Sequence, residues 1–211
     1  MIEIHTINMG IAKSFLIRGT KDYILIDAGY KNKAKNLWSF LDKNAINPEK
    51  IKLIIITHSH VDHFGSLKEI QEKTKAKVLI QKDDLESFRQ GVNAEAYPRN
   101  VIGKVMSNFS PMKKDKFETL EPDIVMEDFY SLEEYGLEGK AIHTPGHTMG
   151  SISVIIGNKA FVGDTVMGTP VNLSIKSGLP ILIYDRQLLN ESWEKLVNKG
   201  VKKLYLSHAS L

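Results

Sequence analysis

Apolar and polar positions fall into short runs of two kinds along the 211-residue chain. SFLIRG (14–19) and YILIDAG (23–29) are apolar runs parted by a polar break at Thr20 to Asp22, which predicts a hairpin. In 32–45, Ala34, Leu37, Trp38 and Leu41 recur at helical spacing and predict an amphipathic helix. KIKLIIIT (50–57) is continuously apolar, as in a strand buried on both faces. A helix is expected over 66–74, with Ser66 as N-cap and Glu69 completing a capping box, followed by a strand over 77–81. The pattern weakens from Lys82 to about Glu121, where helices are expected near 83–91 and 99–109 with VNAEAYP between them. Strands return at 123–129 and 139–144, and a second hairpin over 151–164 turns at Asn158. A helix over 185–200 opens on Asp185 and closes on Gly200, and KKLYLSH (202–208) is the last strand. The two halves echo each other loosely, which suggests a pseudo-symmetric α/β layer fold.

Length and composition add bounds. The chain suits one domain spanning 1–211, with 82–122 as a candidate lid or insertion, because long connections in compact domains are often binding loops. The net charge of +3 is spread along the chain, so no nucleic-acid partner is expected. With no cysteine there is no disulfide, thiolate ligand or cysteine nucleophile. The N-terminus lacks the marks of a signal peptide and no apolar run is long enough for a bilayer, so a cytoplasmic protein without membrane attachment is expected. A homodimer is the base-rate expectation.

The chemistry gathers in HSHVDH (58–63), directly after the run LIIIT. Ligands there sit at the carboxyl end of a buried strand, on a rigid support. His58 and His60 are two apart and share a face of an extended segment, so both reach one ion. Asp62 and His63 follow a bend and can serve a second. TPGHTMGS adds His147, in a loop that Pro145 and Gly146 keep out of helix. His143, four residues earlier, is set aside, because TPG breaks the helix that would align the pair. GDT places Asp164 where an apolar strand runs out, and a carboxylate with two oxygens can bridge two ions. LYLSH ends the last strand on His208. His5 has no assigned role.

In this order the motifs resemble the metallo-β-lactamase superfamily. The pattern H-x-H-x-D-H stands as His58, His60, Asp62 and His63, followed by His147, Asp164 and His208, and LIDAG (25–29) resembles the family's early strand ending in an aspartate. The resemblance implies an αββα sandwich, an α/β fold of two mixed sheets flanked by helices, with the site along one edge. It implies two divalent metal ions, Zn by first choice and Fe or Mn as alternatives. His58, His60 and His147 hold the first, Asp62, His63 and His208 the second, and Asp164 bridges them. Asp27 is then either a residue that orients a ligand imidazole or a turn residue before Gly29. The implied activity is that of a hydrolase whose nucleophile is a water activated between the two ions, with Asp62 orienting it.

The complete ligand set looks most like thioesterases of the glyoxalase II type, lactonases and phosphodiesterases. Cysteine-containing lactamases are excluded by composition. His60 stands where diiron oxygen reductases carry Glu. The sequence ends three residues after His208, so the C-terminal helical domain of glyoxalase II is not expected. A small ester, thioester or lactone is the expected substrate, with Tyr97 and Tyr184 as candidate substrate contacts in the segments 82–122 and 165–184. The alternatives are a phosphodiesterase, a mononuclear iron dioxygenase acting on a thiol or persulfide, and a non-catalytic metal-binding scaffold.

Overall fold

The computed structural model describes residues 2–99, 104, 117–168 and 178–208. One sheet contains β1 (Ile4–Asn8), β2 (Lys13–Arg18), β3 (Tyr23–Ile26), β4 (Ile51–Ile55), β5 (Lys77–Gln81) and β7 (Ile124–Met126), in that spatial order. β1 to β3 are antiparallel, and β3, β4, β5 and β7 run parallel. A second sheet has the order β13 (Lys203–Tyr205), β11 (Lys159–Phe161), β10 (Ile152–Ile156), β9 (Gly139–His143) and β8 (Phe129–Ser131). β6 (Tyr97–Pro98) and β12 (Leu182–Ile183) form a small antiparallel pair of their own.

Three apolar layers hold these sheets. α1 (Ala34–Lys43), α3 (Leu67–Thr74) and α4 (Leu85–Gln90) cover the outer face of the first sheet, where Leu37, Leu41, Ile70 and Phe88 pack on Leu25, Ile54 and Val78. Between the sheets, Phe15, Ile26, Leu53 and Ile55 meet Ala141, Val154 and Phe161. α5 (Arg186–Asn198) closes the second sheet through Leu196 against Ile142, Ile155 and Val162. This is an αββα sandwich. The continuous apolar run of β4 is explained by it: Ile54 faces the helices, while Leu53 and Ile55 face the other sheet.

Several expectations need correction. The strand expected over 123–129 is two strands, because the chain leaves the first sheet after Met126 and enters the second at Phe129. Ser66 precedes α3 but does not cap it: its hydroxyl donates to Tyr30 O and accepts from Lys33 N, while Glu69 accepts from Trp38 Nε1. The tertiary contacts took both side chains of the anticipated capping box. The pair β6–β12 was not anticipated, since two-residue strands carry no periodicity. The helix expected near 99–109 falls, apart from its first residue and Lys104, outside the described residues. Asp185 does cap α5, accepting from Gln187 N and Leu188 N. Among the described residues, no helix is long and apolar enough to cross a membrane.

Candidate metal centre

Parallel register brings the strand ends together. β3 and β4 pair Ile26 with Ile55, so Asp27, one residue beyond β3, and Thr57, two residues beyond β4, meet: Thr57 N donates to Asp27 Oδ1 at 2.8 Å and Thr57 Oγ1 to Asp27 Oδ2 at 3.0 Å. In the second sheet β11 and β13 pair Phe161 with Tyr205. Three residues beyond each strand stand Asp164 and His208, with Oδ1 and Nε2 3.3 Å apart. Gly163 makes that turn at φ +50°, and a Cβ there would lie 2.6 Å from Thr57 Oγ1, so a side chain would push the two sheets apart. Thr57 O also accepts from Ile152 N at 2.9 Å, tying the edges together. α2 (Val61–Phe64), a single turn, then returns Asp62 and His63 toward the same point.

Seven side chains converge there in two sets: His58, His60, His147 and Asp164, and Asp62, His63 and His208. The donor atoms of each set lie within 4.8 Å of one another. Asp164 belongs to both by geometry. Its Oδ2 lies 3.8 Å from His147 Nε2, while its Oδ1 lies 3.4 Å from His63 Nε2 and 3.3 Å from His208 Nε2.

Hydrogen bonds on the outer side of each ring decide what the inner side offers. His147 Nδ1 donates to Leu182 O at 2.8 Å and His60 Nε2 donates to Ala94 O at 3.1 Å. Thr57 Oγ1 gives its only proton to Asp27, so it accepts from His58 Nδ1 at 3.1 Å. Neutral rings held this way turn lone pairs inward. His147 Nε2 then faces His60 Nδ1 at 3.1 Å and His58 Nε2 at 3.2 Å, lone pair to lone pair, an arrangement that a cation resolves. Burial keeps these rings neutral. It pushes the His58 pKa well below the usual imidazole range, helped by the neighbouring histidines, and lowers that of His147 to about 4.

The other set is prepared by charge. His63 Nδ1 donates to Asp27 Oδ2 at 2.8 Å, both side chains being fully buried. Burial alone would lower the pKa of His63, but Asp27, Asp164 and Asp62 outweigh it and hold it well above the ordinary value. His208 is raised to about 10 in the same way, Asp164 and Asp62 overcoming burial. Burial would raise Asp62, yet His63 and His208 draw it down to about 2. His63 Nε2 and Asp164 Oδ1 are buried without a hydrogen-bond partner, although only 3.4 Å apart. Unpartnered buried polar atoms among converging ligand atoms fit divalent ions held by nitrogen and oxygen.

One contributor was not foreseen. Asp84, after β5, is 1% exposed and joins the two loops of the first set. It accepts from Ser59 N at 2.7 Å, between His58 and His60, and from Thr148 Oγ1 at 2.9 Å and Gly150 N at 2.8 Å, just after His147. A Cβ on Gly150 would lie 2.5 Å from the Asp84 side chain, so the clasp needs glycine there. Burial raises the pKa of this carboxyl, against the three donated hydrogen bonds. The signal was available in the sequence, a carboxylate just past a buried strand, as at Asp27 and Asp164.

The remaining candidates stand outside the two sets. Tyr97 and Tyr184 stack on each other, ring centroids 6.0 Å apart, beside β6 and β12. Tyr184 N donates to Gly146 O and His147 O. His143 Nε2 engages Met149 O at 2.7 Å, and His5 contacts Glu3 at 2.7 Å.

The family model described as the metallo-beta-lactamase superfamily matches residues 8–208. The chain belongs to the metallo-beta-lactamase superfamily. It is an enzyme of that superfamily. Probable metallo-hydrolase MJ0888 of Methanocaldococcus jannaschii is 32% identical over 95% of this chain and 88% of its own. The metallo-beta-lactamase fold-containing protein ST1585 of Sulfurisphaera tokodaii is 28% identical, over 95% of this chain and 74% of its own. Its crystal structure superposes with a TM-score of 0.68, covering 98% of this chain and 80% of that one at 25% identity. A hydroxyacylglutathione hydrolase of Pelagibacter ubique is 29% identical over 68% of this chain and 50% of its own length.

Proposed function

We propose that this metallo-hydrolase of the metallo-beta-lactamase superfamily holds two divalent ions, zinc by first choice, and cleaves a small ester, thioester or lactone. His58, His60 and His147 would hold one ion, and Asp62, His63 and His208 the other. The observation that carries the binuclear reading is Asp164, whose two oxygens divide between the two sets. When bound, such ions supply Lewis acidity and a water acidic enough to attack at neutral pH.

The chain's own groups do the rest. Asp62, a carboxylate already ionised in the metal-free chain, would accept a hydrogen bond from the attacking water and orient it. Asp27 fixes the ring of His63, and the carbonyls of Leu182 and Ala94 fix those of His147 and His60. The stacked rings of Tyr97 and Tyr184, with Pro98 and Ile183, form an aromatic and apolar wall beside the His147 loop, which suits a small acyl compound. The hydroxyacylglutathione hydrolase among the relatives supports the thioester arm.

The test is elemental mass spectrometry on untagged protein together with turnover of p-nitrophenyl esters, thioesters, lactones and bis-p-nitrophenyl phosphate. About two zinc ions per chain, and ester or thioester turnover that chelator abolishes, are expected. Phosphodiester cleavage with esters untouched would overturn the substrate reading. About one iron with oxygen consumption on persulfide would replace it by a dioxygenase. Full metal with no turnover would leave a scaffold.

A further inference from the structure

The sequence has four arginines, at 18, 89, 99 and 186. Two have carboxylate partners: Arg18 pairs with Glu3 and Arg89 with Glu121. Arg99 and Arg186 pair with no carboxylate among the described residues, and both line one cleft. The cleft has a volume of about 400 Å³ and is completed by Tyr97, Pro98, Ile183 and Tyr184. Carboxylates close by in sequence are already engaged. Glu95 accepts from the Tyr97 hydroxyl, and Asp185 caps α5. The Nε of Arg99 is buried without a hydrogen-bond partner among the described residues, a donor that costs stability unless something accepts from it. The guanidinium of Arg186 lies 5.6 Å from the Trp193 ring centroid, a contact that positions the charge without neutralising it.

The cleft is tied to the metal centre through the backbone. Leu182, whose carbonyl holds His147, is two residues before Tyr184. Ala94, whose carbonyl holds His60, is three residues before Tyr97. Three residues of extended chain span about 10 Å. A molecule lying in the cleft therefore has one end within reach of the rim over His60 and His147. Guanidinium groups recognise oxyanions by paired N–H donors, and flat aromatic walls favour an apolar chain.

The geometry points to an oxyanion-recognition site: Arg99 and Arg186 take the carboxylate or phosphate group of an acyl substrate whose apolar part lies along Tyr97, Tyr184 and Ile183. This inference rests on the acyl-hydrolase reading above, and the cleft is testable apart from it.

The experiment compares the metal-loaded protein with its Arg99→Gln/Arg186→Gln form, using metal content and circular dichroism as controls. Three p-nitrophenyl esters of matched acyl length serve as probes: neutral, ending in carboxylate and ending in phosphate. Calorimetry with hexanoate and hexyl phosphate reads binding directly. Wild type should prefer one of the anionic esters over the neutral one, and that ester identifies the oxyanion. The double substitution should raise its KM about tenfold or more and leave the neutral ester unchanged. Equal loss on neutral and anionic esters, or no anionic preference in wild type, would overturn the proposal. If no ester is turned over, the acyl-hydrolase reading fails. The cleft then stands if hexanoate or hexyl phosphate binds wild type about tenfold more tightly than the double variant. It falls if the two bind alike, since an anion held at the metal centre would not distinguish them.

Discussion

His147 and His208 both stand in loops beyond strands of the second sheet, and both point a ring nitrogen at Asp164. Their surroundings differ. His147 donates to a backbone carbonyl, has His58 and His60 for neighbours and is 2% exposed in its side chain. His208 faces two carboxylates, Asp62 and Asp164, and its side chain is 14% exposed. The first set is thus a group of neutral rings whose lone pairs are already converged. The second is a charged cluster in which protons occupy the places of a cation. Residue types alone would make the two sets near equivalents. Their second partners, carbonyl on one side and carboxylate on the other, separate them.

Removing the group that the two sets share gives the largest effect. Asp164→Ala takes an oxygen from each side and leaves His63 and His208 with less negative charge to offset them. Metal content should fall below two ions per chain, and kcat/KM on the best acyl substrate by about a thousandfold or more. A variant retaining both ions and near-normal turnover would break the picture of a shared carboxylate. Elemental analysis and steady-state kinetics check it.

A smaller and one-sided loss is expected from Asp84→Asn. Asp84 touches no ligand ring, yet it joins the loop between His58 and His60 to the loop after His147. The amide keeps one acceptor and loses the second, so one of the three donors goes unsatisfied. Metal affinity of the three-histidine set should weaken about 10- to 100-fold, with the other set little changed. Cobalt substitution reads this apart from activity: the absorption bands of the first site should shift, while those of the second stay. Equal weakening at both sites would mean that Asp84 supports the fold alone.

Asp84 also shows how much was legible beforehand. The seven converging residues and Asp27 were readable because each follows an apolar strand, and the run HSHVDH concentrates four of them. β4 could be read as buried on both faces because its apolar run is unbroken. What stayed hidden depends on contacts between distant segments. The carbonyls of Ala94 and Leu182 carry no side-chain signal. Ser66 looked like a cap, but Tyr30 and Lys33 compete for its hydroxyl. The strand expected over 123–129 changes sheets at Glu127 and Asp128, and no local pattern marks that crossing.

The finest test of the two sets is their response to acid. In the metal-free protein His208 titrates at about 10 and His63 well above its usual value, so both carry protons at neutral pH. An ion entering the second set must displace those two protons, and its affinity should fall about a hundredfold for each pH unit lost. His147 titrates at about 4 and His58 well below the usual range, so the first set stays open to metal until about that pH. Dialysis at stepwise lower pH should therefore pass through a plateau of about one ion per chain, held by the three histidines. Simultaneous loss of both ions, or a one-ion form that survives in His147→Ala, would reverse the assignment. The stability of the chelated protein should carry the same signs more weakly. The raised pKa of His208 contributes stability that is full below about 6.5 and lost as pH rises through about 10. The lowered pKa of His147 costs stability as pH falls from about 6.5 to about 4. The lowered pKa of Asp62 contributes stability above about 4 that is lost as pH falls through about 2. Thermal unfolding of the chelated protein should then be most resistant near pH 6.5, to within about one unit, and a maximum displaced toward pH 9 would mean that the carboxylates do not hold a proton on His208.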